Sequence, residues 1–103
     1  MKICTTSTEK TLQSEIDPRF GRSQYFVIYD TKTKENEIIK NPYTDGGGAG
    51  TKVGQLMIDK NINLVISGEP GPNAKFVLDQ AGIKFQNADL TKSVEENINN
   101  ISI

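Results

Sequence analysis

The stretch Asn63-Leu64-Val65-Ile66-Ser67-Gly68-Glu69-Pro70-Gly71-Pro72-Asn73-Ala74 decides the architecture. Asn63 to Ser67 is a short apolar run between polar neighbours, as expected of a strand buried on both faces. Gly68 to Pro72 is a turn, and Pro72 suits the first position of a helix, where its missing N–H costs nothing. Ala74, Val77, Leu78 and Ala81 then recur on one helical face, and Gly82 is a natural C-terminal stop. Ile83 to Gln86 supplies the next strand. A strand reached through a helix is parallel to the one before it, and the crossover is right-handed.

Reading outward from this unit extends the pattern. Val53, Leu56 and Met57 mark an earlier helix, predicted to start near Thr51 and end near Asn61. Ile3 to Thr6 and Gln24 to Asp30 read as strands, and Glu37 to Lys40 as the returning arm of an antiparallel hairpin. Thr8 to Arg22 is polar, broken by Pro18 and Gly21, and reads as a long loop. Ser93 and Glu96 have the spacing of a capping box, and Val94, Ile98 and Ile101 continue as the stripe of a last helix. The order is β, β, β, α, β, α, β, α. We expect one α/β domain over residues 1–103, with a five-stranded mixed sheet and three helices.

Composition narrows the chemistry. The formal net charge is −1, which speaks against a nucleic-acid partner, since such proteins carry a basic stripe. The N-terminal residues contain no apolar stretch of signal-peptide or membrane-span length, so the expectation is a cytoplasmic protein without a membrane partner. With no histidine and one cysteine, imidazole mechanisms and a zinc site of the usual nitrogen and sulfur kind are excluded within one chain.

Three segments invite a functional reading. Gly46-Gly47-Gly48-Ala49-Gly50-Thr51-Lys52 looks like a phosphate loop, but threonine precedes lysine and the register fails. The dinucleotide fingerprint fails too, because Val53 holds the place of its third glycine. What survives is a Gly-rich loop opening a helix, whose unpaired N–H groups and dipole attract anions; the alternative is a mere connection. Gly68, Gly71 and Asn73 belong to a second opening of the same kind, set where open α/β sheets bind ligands. Asp17-Pro18-Arg19-Phe20-Gly21-Arg22-Ser23 places two arginines around Phe20-Gly21, and guanidinium forks suit multiply charged anions. The alternative there is a solvated loop with Phe20 in the core. Cys4 is either a small core side chain or a thiolate ligand to a metal cluster.

Taken in order, these pieces resemble the dinitrogenase iron–molybdenum cofactor biosynthesis family nearly end to end. The resemblance rests on Phe20-Gly21-Arg22 before Tyr25-Phe26-Val27-Ile28, Asn41-Pro42, Gly48-Ala49-Gly50, Gly68 to Ala74, Leu78 through Gly82-Ile83, and Ser93-Val94-Glu95-Glu96. It implies a ribonuclease-H-like three-layer fold and a non-catalytic binder or carrier of an anionic iron–sulfur or iron–molybdenum cluster precursor, with cluster-assembly proteins as partners. Relatives often carry histidine and cysteine where this chain has Arg19 and Ser23. The implied cofactor-binding set is Arg19, Arg22, Ser23, Gly48, Ala49, Gly50, Gly68, Gly71 and Asn73, with Cys4 as the one metal-ligand candidate. Two other readings stand beside it: a regulatory module for another small anion, and a ribonuclease-H-like hydrolase. The last needs carboxylates converging on Mg²⁺, and the relevant strands offer Cys4, Thr5 and Ser67 instead. We therefore expect the purified protein to leave RNA and DNA intact with Mg²⁺ or Mn²⁺ present; cleavage abolished by a point change in this chain would show otherwise.

Overall fold

The computed structural model describes residues 1–44 and 47–101; Asp45, Gly46, Ser102 and Ile103 lie outside it. The strands are β1 (Lys2–Ser7), β2 (Tyr25–Asp30), β3 (Asn36–Lys40), β4 (Leu64–Ser67) and β5 (Lys84–Asn87). The helices are α1 (Ala49–Asp59), α2 (Pro72–Gln80) and α3 (Val94–Asn99). One sheet runs in the order β3-β2-β1-β4-β5. β2 is antiparallel to both β1 and β3, whereas β4 is parallel to β1 and β5 is parallel to β4. The expected α/β fold, a five-stranded mixed sheet with three helices, is thus present, and β1 is the hinge between the two pairing modes.

The alternation of β1, β2 and β4 sends their side chains into two cores. Cys4, Phe26, Ile28 and Val65 face α1 and α2, where Val53, Met57, Ala74 and Leu78 meet them. Val27 faces α3 through Val94 and Ile98, and Ile3, Leu64 and Ile66 lie on the same side near Ile101. Two helices, the sheet and one helix therefore form three layers. Phe20 leaves the long loop to join the first core, its ring 6.1 Å from Phe26 between centroids.

Element boundaries moved where glycine and local turns decided them. α1 begins at Ala49 rather than near Thr51, because Gly48 takes a left-handed φ of 75° as the cap and lets the next residue turn helical. Ala49 and Gly50 are therefore its first turn, not loop. Its end comes at Asp59, with Asn61 left-handed at φ 60° just beyond. β5 runs one residue later than the apolar run implied, since its pairing with β4 extends to Ser67↔Asn87. The capping box of α3 is formed: the Ser93 hydroxyl accepts from the Glu96 N–H, and the Glu96 carboxylate accepts from the Ser93 N–H. That N–H holds the Glu96 carboxyl below the usual glutamate range.

α1 and α2 lie side by side with almost nothing between them. A Cβ on Gly54 would sit 2.8 Å from Val77 Cγ1, and one on Gly50 would sit 3.4 Å from the Ala74 nitrogen. Both helices follow strands that run in the β1 direction, so their N-termini open together at one end of the sheet. The long loop crosses that end. Its first half is tied to α3, with Ser14 and Leu12 carbonyls accepting from the Val94 and Glu95 N–H groups. Its second half lies on α1 and α2. The passage depends on Gly68, where a Cβ would come within 2.7 Å of Pro18 Cα and run into the Pro18 carbonyl oxygen. Since backbone cannot yield as a flexible side chain does, Gly68→Ala should lower stability by roughly 1–3 kcal/mol. Urea denaturation measures this, and an unchanged midpoint would show that the loop can lift off.

Candidate functional site

Three chain segments meet at the carboxyl edge of β1 and β4. The first is the opening of α1, the second the opening of α2, and the third the loop 17–24. Neither α1 nor α2 has a side-chain cap at Gly48 or Gly71, and neither has an acidic residue in its first turn. The first intrahelical bonds run from Lys52 to Gly48 and from Lys75 to Gly71. The N–H groups of Ala49, Gly50, Thr51, Asn73 and Ala74 therefore precede them, at the positive ends of two helix dipoles. With Gly50 against Ala74, these two sets of donors share one small area.

The arginine loop is held over that area by backbone contact and by a buried polar network. A Cβ on Gly21 would lie 3.0 Å from the Gly50 nitrogen, so only glycine lets the loop come this close to the opening of α1. Pro18 rests on Gly68, ahead of α2. Asn41, at the end of β3, donates its amide to the Gly21 and Ser23 carbonyls at 3.0 and 2.9 Å and accepts the Tyr43 N–H at 2.8 Å. The Thr6 hydroxyl donates to the Asp17 carbonyl at 2.7 Å and stands 3.1 Å from Ser67 Oγ. These contacts join the ends of β1, β3 and β4 to one loop.

The residues singled out in the sequence divide accordingly. Gly48, Ala49, Gly50, Gly71 and Asn73 belong to the two helix openings, and Gly68 is the seat for Pro18. Arg19 lies on the span between the two openings, its side chain 61% exposed and its Nε 3.4 Å from Asp17 Oδ1. Arg22 Nη1 donates to the Thr44 carbonyl at 2.9 Å, beside the Gly-rich loop. Gly46 of that loop falls outside the described residues. Ser23 is fully buried, and its hydroxyl donates to the Tyr25 carbonyl at 2.7 Å, so it fastens the loop from beneath.

Cys4 is elsewhere. It is completely buried in the α1/α2 core, and desolvation there pushes its thiol well above the usual cysteine range. A neutral core thiol is a poor ligand. Among the described residues, no group of three His, Cys, Asp or Glu is placed to hold a metal ion, and no helix is long and apolar enough to cross a membrane.

Sequence reasoning missed Asp17 and Asn41 as organisers of the site. Each had a local signal: Asp17 precedes Pro18 and accepts the N–H two residues on, and Asn41 precedes Pro42 and does the same. Both are Asx turns, which the residue types favour. Their longer-range bonds carry no sequence signal.

The fold is thus a small α/β sheet in which two uncapped helix openings lie side by side under an arginine-bearing loop. The chain belongs to the dinitrogenase iron-molybdenum cofactor family, whose pattern matches residues 1–102. The apo form of the orange protein from Desulfovibrio gigas is 32% identical, with a TM-score of 0.87 over 95% of this chain and 83% of that one. A Thermotoga protein put forward as a NifB protein, solved by NMR, is 34% identical with a TM-score of 0.83, covering 95% and 84% of the two chains. An uncharacterized protein of Methanocaldococcus jannaschii is 34% identical over 87 residues, which are 81% of this chain and 73% of that one.

The burial of Cys4 has a direct test. A disulfide reagent should label the native thiol only as fast as the core opens, and at full speed once the chain is denatured. Rapid labelling of the folded protein would place Cys4 at a surface.

Proposed function

We propose that this protein is a non-catalytic binder or carrier of an anionic iron–sulfur or iron–molybdenum cluster precursor, held at the two helix openings beneath the arginine loop. The observation that carries the reading is the contact of Gly50 with Ala74, which puts two uncapped helix N-termini side by side in a chain of this family. Arg19, Arg22 and the N–H groups of Ala49, Gly50 and Asn73 would supply the contacts, with Gly48, Gly68 and Gly71 giving the backbone its shape. Cluster-assembly proteins are the partners that such a carrier requires.

The donor set also says which kind of cargo fits. These groups are N–H donors and guanidinium, not thiolate or imidazole. They suit a cargo that arrives with its own sulfide or oxide ligands and keeps them, and they do not suit a cluster whose iron must be held by cysteine. Cys4, buried and neutral, does not alter this. The same chemistry favours a second reading, a regulatory module for a small anion that carries no metal.

Anaerobic purification from the native host, followed by metal analysis and an absorption spectrum, separates the two readings. Iron or molybdenum with a coloured protein supports the carrier; a colourless, metal-free protein that binds molybdate or phosphate supports the regulatory module. In either case Arg19→Ala and Arg22→Ala should each weaken binding by roughly 0.5–1.5 kcal/mol, because exposure discounts a charge-assisted contact, while the fold persists. Cys4→Ala should leave affinity unchanged. A large loss of affinity in folded Cys4→Ala would restore thiolate ligation and sink this account of the site.

A further inference from the structure

Among the described residues, Asp17 is the single buried charged side chain. A carboxylate out of water must be paired or hydrogen-bonded, and this one is both. Its Oδ1 accepts the Arg19 N–H at 3.0 Å and faces Arg19 Nε at 3.4 Å, and its Oδ2 accepts the Gln24 N–H at 3.3 Å. The Asp17 peptide is anchored in turn, its N–H directed to the Thr6 carbonyl at 3.4 Å and its own carbonyl accepting the Thr6 hydroxyl. The carboxylate is therefore a fixed point on the end of the sheet, and one edge of the Arg19 guanidinium leans on it.

The other edge is left over. Nη1 and Nη2 of Arg19 have no protein partner among the described residues, although the side chain is fastened at Nε. Arg19 also sits on the short span whose flanks, Pro18 and Gly21, rest on Gly68 and Gly50 at the two helix openings. We propose that Asp17 is a positioning residue: it holds Arg19 by the Nε edge, so that the two Nη ends are presented as a fork to a polyatomic anion at the α1 and α2 openings. This inference rests on the anion-site reading above. It adds a preference: an anion with two acceptor atoms on one face uses the fork, whereas a halide does not.

The test uses the whole chain and molybdate, with chloride as the competing monatomic anion. Arg19 and Arg22 are the only arginines in the sequence, so the Nε–H region of a ¹⁵N NMR spectrum holds two side-chain signals, assigned with Arg22→Lys. In the unaltered protein the Arg19 Nε–H signal should be shifted by its carboxylate neighbour, and Asp17→Asn should move it to the position of a solvated arginine. Arg19→Ala should weaken molybdate about fivefold, and Asp17→Asn by a similar factor. Asp17→Asn should add less than about twofold when Arg19 is already alanine, since both changes remove one contact. Arg19→Lys keeps the charge but has neither the Nε tether nor the fork, so it should lose nearly as much as Arg19→Ala; it leaves the Asp17 backbone bonds in place if Asp17→Asn fails to fold. Additive losses from Asp17→Asn and Arg19→Ala, or full affinity in Arg19→Lys, would overturn the positioning role while leaving the anion site standing. Failure of the unaltered protein to bind molybdate would remove the site and this inference with it.

Discussion

Pro18 lies on Gly68 so closely that no side chain fits between them, and the carboxyl edge of the sheet is organised around that contact. A loop long enough to wander, from Thr8 to Gln24, is pinned at its middle against the strand end that opens α2. Once pinned, its next residues have little choice. Phe20 drops into the core beside Phe26, Gly21 settles on Gly50, and the two arginines remain outside. The hydrophobic burial of Phe20 and the backbone fit of Gly21 and Gly68 thus act together to fix the arginine-bearing loop across the two helix openings.

Polar groups complete what packing begins. Asp17, Asn41, Thr6, Ser23 and Ser67 are buried, and their bonds run between the loop and the ends of β1, β3 and β4. Buried polar groups are costly unless satisfied, so such a belt tolerates few alternative arrangements. It gives the loop a defined shape at the place where an open α/β sheet receives ligands. The same loop is tied on its other side to the start of α3, so both helical layers contribute to holding it.

The carboxyl edge of the sheet carries two arginines beside the N–H groups of two uncapped helix openings. Guanidinium, peptide N–H groups and helix dipoles stabilise charge that is already present on a cargo. Membership in the dinitrogenase iron-molybdenum cofactor family agrees with a cluster-related carrier or binding role. In this chain Arg19 lies at the surface and Ser23 inside the loop.

The sequence by itself determined the order of elements, the capping box of α3, the helix opening at Pro72 and the arginine and glycine segments as places of interest. These are local matters of periodicity, turn chemistry and capping, readable within a few residues. It misplaced the start of α1, since a left-handed glycine cap and a glycine in a connection look alike in one dimension. Only the tertiary structure decided that Cys4 faces the core, that Ser23 holds the loop from below, and that Asp17 and Asn41 tie distant strand ends together. Each of these depends on a partner more than ten residues away or on which face of a strand a residue takes, and neither is encoded in local spacing. The meeting of the two helix openings is likewise a tertiary fact: Gly50 and Ala74 touch because parallel strands carry both helices in the same direction and Gly54 lets them close against Val77.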